Sequence, residues 1–174
     1  MIELDSSKYK SGNIISIEEA AKITEQLKNQ GKKIGLCAGT FDLLHPGHIN
    51  HLIEAKKLCD VLMVAIPKKQ NNIWIQKPGK GRPIYSNNIR AFMISQLKPV
   101  DFVFFEEGGE PSEILLIKPD IVIKGLDYTT EKNEGLIKQE DLLNSMGGKM
   151  VYTQTEKLST TDIIKYIKEN IEFE

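Results

Sequence analysis

The stretch KKIGLCAGTFDLLHPGH, residues 32–48, decides the fold of this chain. It consists of an apolar run, a Gly-Thr-Phe-Asp turn and a helix start in which Pro46 takes the first helical position. A strand that is apolar throughout and leads directly into a helix is typical of a parallel sheet covered on both faces. The stretch therefore predicts the first strand–turn–helix unit of an α/β domain.

The same alternation continues along the rest of the chain and predicts one α/β domain with a five-stranded parallel sheet and helices on both faces. The predicted strands span residues 33–38, 60–66, 101–105, 120–123 and 149–153. The predicted helices span residues 17–30, 46–58, 86–97, 111–117, 134–146 and 159–170. Residues 1–31 form an N-terminal extension with the leading helix, and residues 32–174 form the domain proper.

Composition narrows the class of protein. The chain has 174 residues, 40% hydrophobic and 27% charged, which is ordinary for a globular protein. A formal net charge of −1 does not favour nucleic acid as a partner. We expect a cytoplasmic protein without a membrane segment, because no apolar run approaches about 18 residues and no signal peptide is evident. Cys37 and Cys59 lie in apolar runs and are expected in the core, without a disulfide.

All three histidines lie within the GTFDLLHPGHINH stretch. His45 falls at the cap of the predicted helix and His48 in its first turn, where free N–H groups and the helix dipole favour anions. We expect both imidazoles to donate hydrogen bonds to phosphate, with Gly47 leaving room for a ligand. A zinc site fits less well, because a helical zinc pair prefers i, i+4 spacing. Surface histidines without a ligand are the other alternative, and His51 is expected to be structural.

Polar residues also follow the later strands, and ligands of such sheets bind outside the carboxyl ends of the strands. Ser159, Thr160 and Thr161 open the last helix and fit either a simple N-cap or a second phosphate contact. Lys124, beside Gly125, fits either a phosphate partner or a solvated charge.

The polar segment 67–85 is long for a loop, and we expect it to be mobile without ligand and to close over the substrates. The basic residues expected at this edge of the sheet are Lys77, Lys80, Arg82 and Arg90.

The motifs GTFDLLHPGH and LSTTDII resemble the two signatures of the HxGH, or cytidylyltransferase-like, nucleotidyltransferase superfamily. More narrowly, the leading helix and the segments GKGRPI, KPDIVIKGLDYT and GGKMVYTQTEKLSTTDII resemble the adenylyltransferase domain of ADP-heptose synthases. The resemblance covers nearly the whole chain. It implies a Rossmann-like domain that couples a sugar 1-phosphate, D-glycero-manno-heptose 1-phosphate, to ATP and releases an ADP-sugar and pyrophosphate.

The resemblance also implies the roles of individual residues. The catalytic residues would be Thr40, His45 and His48. The nucleotide-binding residues would be Gly39, Thr40, Phe41, His45, Gly47, His48, Lys124, Gly125, Asp127, Tyr128, Ser159, Thr160 and Thr161. The residues that neutralise substrate or triphosphate phosphate would be Lys77, Arg82 and Arg90. Mg²⁺ is expected with the triphosphate, without an assigned protein ligand, and a homodimer is expected.

Several departures from the family pattern keep alternatives open. The chain has AGTFD where the heptose enzymes usually have NGCFD, a form closer to the cytidylyltransferases. Leu126 replaces a glycine, and Pro67-Lys68-Lys69 replaces Asn-Ser-Asp. The second hypothesis is therefore a cytidylyltransferase acting on glycerol 3-phosphate or another polyol phosphate. The third is a nucleotide-binding module without turnover.

Overall fold

The computed structural model describes residues 4–68, 82–106, 112–126, 134–155 and 158–172. A 3-10 turn at Ser6–Lys8 precedes the regular elements. The helices are α1 (Ile17–Asn29), α2 (Pro46–Lys56), α3 (Asn87–Ser95), α4 (Ser112–Ile117), α5 (Glu134–Ser145) and α6 (Thr160–Asn170). The strands are β1 (Ile34–Ala38), β2 (Val61–Pro67), β3 (Phe102–Glu106), β4 (Ile121–Lys124) and β5 (Lys149–Tyr152). No helix within these ranges is long and apolar enough to cross a membrane.

Within the described ranges, the five strands form one sheet in the order β3-β2-β1-β4-β5, and every neighbouring pair is parallel. At the centre, Leu36 of β1 lies beside Met63 of β2 and Val122 of β4. The chain thus builds outward from β1 on one side and then returns to place β4 on the other. In sheets with such a switch in strand order, ligands bind at the carboxyl ends of the strands beside the switch, which here are β1 and β4. The predicted Rossmann-like fold is confirmed.

Two apolar layers cover the two faces of the sheet, as the uniformly apolar strands predict. On one face, Leu52 of α2 and Ile94 of α3 belong to a cluster of buried residues. On the other face, Ala20 of α1, Ile117 of α4 and Leu143 of α5 form the second cluster. Helices therefore pack on both faces of the sheet.

The N-terminal extension packs against the outer edge of the sheet. Ile14 pairs in parallel with Val103 of β3. The amide of Ile15 donates to the carbonyl of Val103 at 2.9 Å, and the amide of Val103 donates to the carbonyl of Asn13 at 2.9 Å. The Asn13 side chain also donates to the carbonyl of Ser95 at 3.1 Å. Residues 13–15 therefore continue the sheet by a short stretch beyond β3. The boundary at residue 31 stays a prediction.

Candidate functional site

The turn after β1 is tightly folded around Phe41. Its backbone has φ of 46°, in the left-handed region that a bulky residue rarely adopts. The phenyl ring is buried and lies so close to Gly39 that a Cβ there would approach ring atom Cε2 to 2.9 Å. A side chain at position 39 would displace the ring, so the glycine serves the close approach. The ring meets His48 edge-on, with 5.2 Å between ring centroids. The turn is therefore fixed against the start of α2.

His45 is the N-cap of α2, as predicted. Its backbone is extended, with φ of −143° and ψ of 165°, and Pro46 follows in the first turn. The amide of His48 donates to His45 Nδ1 at 3.4 Å, and the two imidazole rings stack with 3.7 Å between centroids. Because Nδ1 accepts this hydrogen bond, the neutral imidazole carries its proton on Nε2. His45 therefore has one nitrogen engaged in capping, and its other nitrogen is a hydrogen-bond donor.

Gly47 marks the place where the two sequence motifs meet. A Cβ at this position would lie 3.1 Å from His45 Nδ1 and 3.5 Å from the Cβ of Leu158. Leu158 directly precedes the helix start formed by the second motif. The beginnings of α2 and α6 are thus neighbours, although they are more than 100 residues apart in sequence.

Ser159 caps α6 through a complete capping box. Its hydroxyl accepts from the amide of Asp162 at 3.1 Å, while an Asp162 carboxylate oxygen accepts from the amide and the hydroxyl of Ser159. Thr160 is buried and Thr161 is exposed. The N-cap interpretation of this motif is confirmed, and the predicted phosphate contact stays a prediction. The hydroxyl of Ser159 is engaged in the cap, so the backbone amides of Thr160 and Thr161 and the exposed hydroxyl of Thr161 are the donors suited to an anion.

Asp42 is a buried residue of the turn that we did not predict as part of the site. Its carboxylate accepts from Arg82 Nε at 3.1 Å and from the backbone amides of Ile84 and Tyr85. The side chain of Asp42 is 3% exposed and that of Arg82 is 12% exposed. The contact ties the residues before α3 to the turn after β1, and it gives Arg82 an anionic partner within the protein. The predicted phosphate contact of Arg82 stays a prediction.

Arg90 of α3 lies beneath the same turn and is fully buried. Its guanidinium donates to the carbonyl of Thr40 at 2.6 Å, to the carbonyl of Pro67 at 3.1 Å and to Asn87 Oδ1 at 2.7 Å. Burial lowers the pKa of Arg90 to about 10, and the carboxylate of Asp42 opposes this shift. Arg90 therefore joins the carboxyl ends of β1 and β2 through protein acceptors. Its direct contact with phosphate stays a prediction.

Lys124 ends β4, with Gly125 in the following turn. Burial lowers the pKa of Lys124, while the carboxylates of Glu113 and Glu106 favour its charged form. Its carbonyl accepts from the amide of Thr153 at 3.0 Å, so the turns after β4 and β5 are adjacent. The predicted site residues that lie outside the described residues are Lys77, Asp127 and Tyr128. Lys80 and most of the long loop, residues 69–81, lie outside them as well.

The donors at the two helix starts suit an anion. They are backbone amides, imidazole N–H groups and hydroxyls, all of which donate hydrogen bonds to phosphate oxygens. In the described part of the chain, no cluster of three or more His, Cys, Asp or Glu side chains is arranged to hold a metal ion. We therefore assign no protein ligand to the expected Mg²⁺.

Sequence comparison identifies a matching protein family and two similar proteins. The sequence model of the cytidylyltransferase-like family matches residues 36–166, a range that contains both helix starts. The bifunctional protein HldE of Paramagnetospirillum magneticum is 37% identical over 160 residues, 90% of this chain and 31% of that protein. The bifunctional protein HldE of Aliarcobacter butzleri is 36% identical over 173 residues, 97% of this chain and 34% of that protein. The chain thus spans about a third of the length of these relatives.

One solved structure adds a comparison of the fold. The lipopolysaccharide core biosynthesis protein from Thermoplasma volcanium superimposes with a TM-score of 0.60 and is 32% identical. The match covers 73% of this chain and 100% of that one. The shared architecture therefore includes the whole of a shorter relative.

Proposed function

The chain belongs to the cytidylyltransferase-like family of nucleotidyltransferases, and from this premise we propose that it transfers the adenylyl group of ATP to a sugar 1-phosphate. The favoured acceptor is D-glycero-manno-heptose 1-phosphate, and the products are an ADP-sugar and pyrophosphate. The observation that carries the proposal is the meeting of two helix starts at Gly47 and Leu158. Two adjacent helix N-termini offer amide donors and positive dipole ends to a triphosphate.

The reaction needs positioning more than proton transfer. A phosphate oxygen of the sugar 1-phosphate attacks the α-phosphorus of ATP and forms the new P–O bond. The bond from the α-phosphorus to the bridging oxygen breaks, and its electron pair leaves with pyrophosphate. The attacking phosphate is already ionised near neutral pH, so the site needs no general base. Catalysis rests on orientation and on stabilising the charge of the transition state.

His45 is suited to stabilise that charge. Its Nδ1 is engaged by the amide of His48, so Nε2–H is the donor, and the side chain is 5% exposed. A donor that is fixed before the reaction and shielded from water stabilises developing charge more strongly than a solvated one. We assign His45 and His48 to the nucleotide phosphates. The backbone groups of Thr40 and Phe41 lie in the adjacent turn and would complete this half of the site.

The second helix start would hold the distal phosphates. Because the hydroxyl of Ser159 is engaged with Asp162, we assign the contact to the backbone amides of the first turn of α6 and to the hydroxyl of Thr161, which is exposed. Mg²⁺ would enter with the triphosphate, coordinated by phosphate oxygens and water, and would reduce the charge repulsion between the phosphates.

The choice of acceptor rests on the relatives. Two of them are named bifunctional protein HldE, and the sequence resembles the adenylyltransferase domain of ADP-heptose synthases. The relative with a solved structure is described as a lipopolysaccharide core biosynthesis protein. The AGTFD form of the turn favours the second candidate, a cytidylyltransferase acting on glycerol 3-phosphate or another polyol phosphate.

Pyrophosphate release decides between these candidates. The assay would compare ATP and CTP, each with D-glycero-manno-heptose 1-phosphate, other sugar 1-phosphates and glycerol 3-phosphate. We expect the highest kcat/KM for ATP with the heptose phosphate. A preference for CTP with a polyol phosphate would replace the adenylyl assignment. Nucleotide binding without release from any pair would support the third hypothesis, a module without turnover.

A further inference from the structure

One hydrogen bond joins helix α2 to the segment that leads from β5 to α6. His51 Nδ1 lies 2.8 Å from the hydroxyl oxygen of Thr153. Thr153 is 3% exposed, and its amide donates to the carbonyl of Lys124 at 3.0 Å. Its hydroxyl oxygen also lies 3.4 Å from that carbonyl. Thr153 therefore connects α2, the end of β4 and the segment after β5.

A second contact lies beside the first. Glu54 Oε2 accepts from the backbone amide of Gln154 at 3.0 Å. His51 and Glu54 are three residues apart on α2, so their side chains lie on one face of the helix. Two side chains of α2 thus bind two consecutive residues of the segment that leads to α6. We call this pair of contacts the α2 clamp.

The α2 clamp joins α2, beyond its first turn, to the segment that leads into the start of α6. His51 and Glu54 lie roughly two turns along α2 from His45, and Thr153 and Gln154 precede the capping residue Ser159 by a few residues. We propose that His51 and Thr153 are positioning residues that fix the spacing between the starts of α2 and α6. This deepens the proposed function and rests on it, because the spacing sets where the two ends of the triphosphate lie. A displacement of about 1 Å of a reacting group costs on the order of 10²-fold in rate.

The electrostatic surroundings keep His51 suited to this contact. Burial lowers the pKa of His51, and the charge of Lys124 lowers it further, while the carboxylate of Glu54 opposes both. The imidazole is therefore neutral near pH 7. A neutral imidazole pairs with a hydroxyl without placing a charge between the sheet and α2.

Four variants test the clamp by separating the contact from the side-chain volume. His51→Leu and Thr153→Val remove the contact, whereas His51→Asn and Thr153→Ser keep a polar atom in place. We expect each of the first two to lower kcat/KM for the nucleotide by about tenfold, with KM for the sugar phosphate unchanged within about twofold. The double variant should be no worse than Thr153→Val alone, because that substitution already removes the contact with His51.

A matched control measures the effect of removing a buried threonine hydroxyl elsewhere. Thr24 is 2% exposed, and its hydroxyl lies 3.4 Å from the sulfur of Met63 on the opposite face of the sheet. Thr24→Val should leave kcat/KM unchanged. Equal losses in Thr24→Val and Thr153→Val, or full activity in both His51→Leu and Thr153→Val, would overturn the proposal.

Amide hydrogen exchange without nucleotide tests the clamp independently of turnover. In His51→Leu and Thr153→Val, we expect the amides of residues 160–163 to exchange several-fold faster, while those of α1 keep their rates. The conservative variants should retain the protection of the parent protein. If the parent protein shows no nucleotidyl transfer but exchange follows this pattern, the proposed function fails and the clamp stands. If turnover is present and exchange at α6 is unchanged, the clamp fails and the proposed function stands.

Discussion

Arg90 donates a hydrogen bond of 2.6 Å to the carbonyl oxygen of Thr40, so helix α3 holds the turn that follows β1. The same guanidinium reaches the carbonyl of Pro67 at the end of β2. A planar group with several fixed donors is suited to bridge two carbonyls, and a lysine has no equivalent geometry. The position of the turn therefore depends on a residue of another helix.

Replacing Arg90 with Met should destabilise the fold and lower turnover. The carbonyls of Thr40 and Pro67 would lose a buried donor, at a cost on the order of 1–3 kcal/mol for each group left unpaired. Arg90→Lys should recover only part of the loss, because a single ammonium group replaces the several fixed N–H donors of the guanidinium. Urea unfolding measures the stability change, with Lys22→Met on the exposed face of α1 as the control. Stability equal to that of the control would contradict this role.

Two substitutions separate the capping role of His45 from its proposed catalytic role. Asparagine is a strong N-cap residue and accepts from the same amide, but it does not extend to the position of the imidazole Nε2. We expect His45→Asn to keep the thermal midpoint within a few degrees and to lower kcat by about 10²–10³, the effect of removing one charge-stabilising donor. His45→Ala should lower both the thermal midpoint and kcat. If His45→Asn retains full turnover, His45 is only a cap.

His48→Ala tests the second imidazole in the same assay. His48 is not the capping residue, so its loss should affect turnover by about 10²–10³ and stability only slightly. The stacked ring of His45 and the edge of Phe41 would lose a neighbour. His48→Phe restores ring contacts without a donor and is the matched control. Recovery of activity in His48→Phe would show that packing, and not hydrogen bonding, is the function of His48.

Ser159→Asp tests where the distal phosphates bind. Aspartate is also an N-cap residue, but its carboxylate would face that of Asp162, which accepts from the Ser159 hydroxyl, so Ser159→Asp should lose some stability, as should Ser159→Ala, at about 1 kcal/mol. A negative charge at the start of α6 should repel the triphosphate and raise KM for the nucleotide by about tenfold or more, with a weaker effect at high salt. An unchanged KM in Ser159→Asp would place the phosphates away from this helix.

The buried imidazole of His51 predicts a pH dependence of stability. Its pKa in the folded protein is lowered, so the unfolded chain binds its proton first as the pH falls. The contribution of neutral His51 to the free energy of unfolding is fully present above the pKa of the unfolded chain, near 6.5. It is lost as the pH falls below that value towards the lowered pKa of the folded state. We expect the free energy of unfolding to drop as the pH falls below about 6.5, and to drop less in His51→Asn. Identical profiles would show that another group titrates.

The order of elements and the positions of both helix starts were predictable from the sequence, because each depends on local signals. Apolar strands, Pro46 in the first turn of α2 and the Ser159 cap act within a few residues. The buried contacts of Asp42 and Arg90 were not predictable in this way. They join residues distant in sequence, and a charged residue that becomes buried is indistinguishable in sequence from one that stays solvated.

The contact of residues 13–15 with β3 has a consequence for handling the protein. An uncovered outer strand presents a row of free amides and carbonyls that another chain recruits as a template for intermolecular pairing. Here Asn13 and Ile15 satisfy both backbone groups of Val103. Removing residues 1–15 would keep Ser16, the N-cap of α1, but would expose the amide and the carbonyl of Val103. We therefore expect loss of residues 13–15 to lower solubility and to favour self-association.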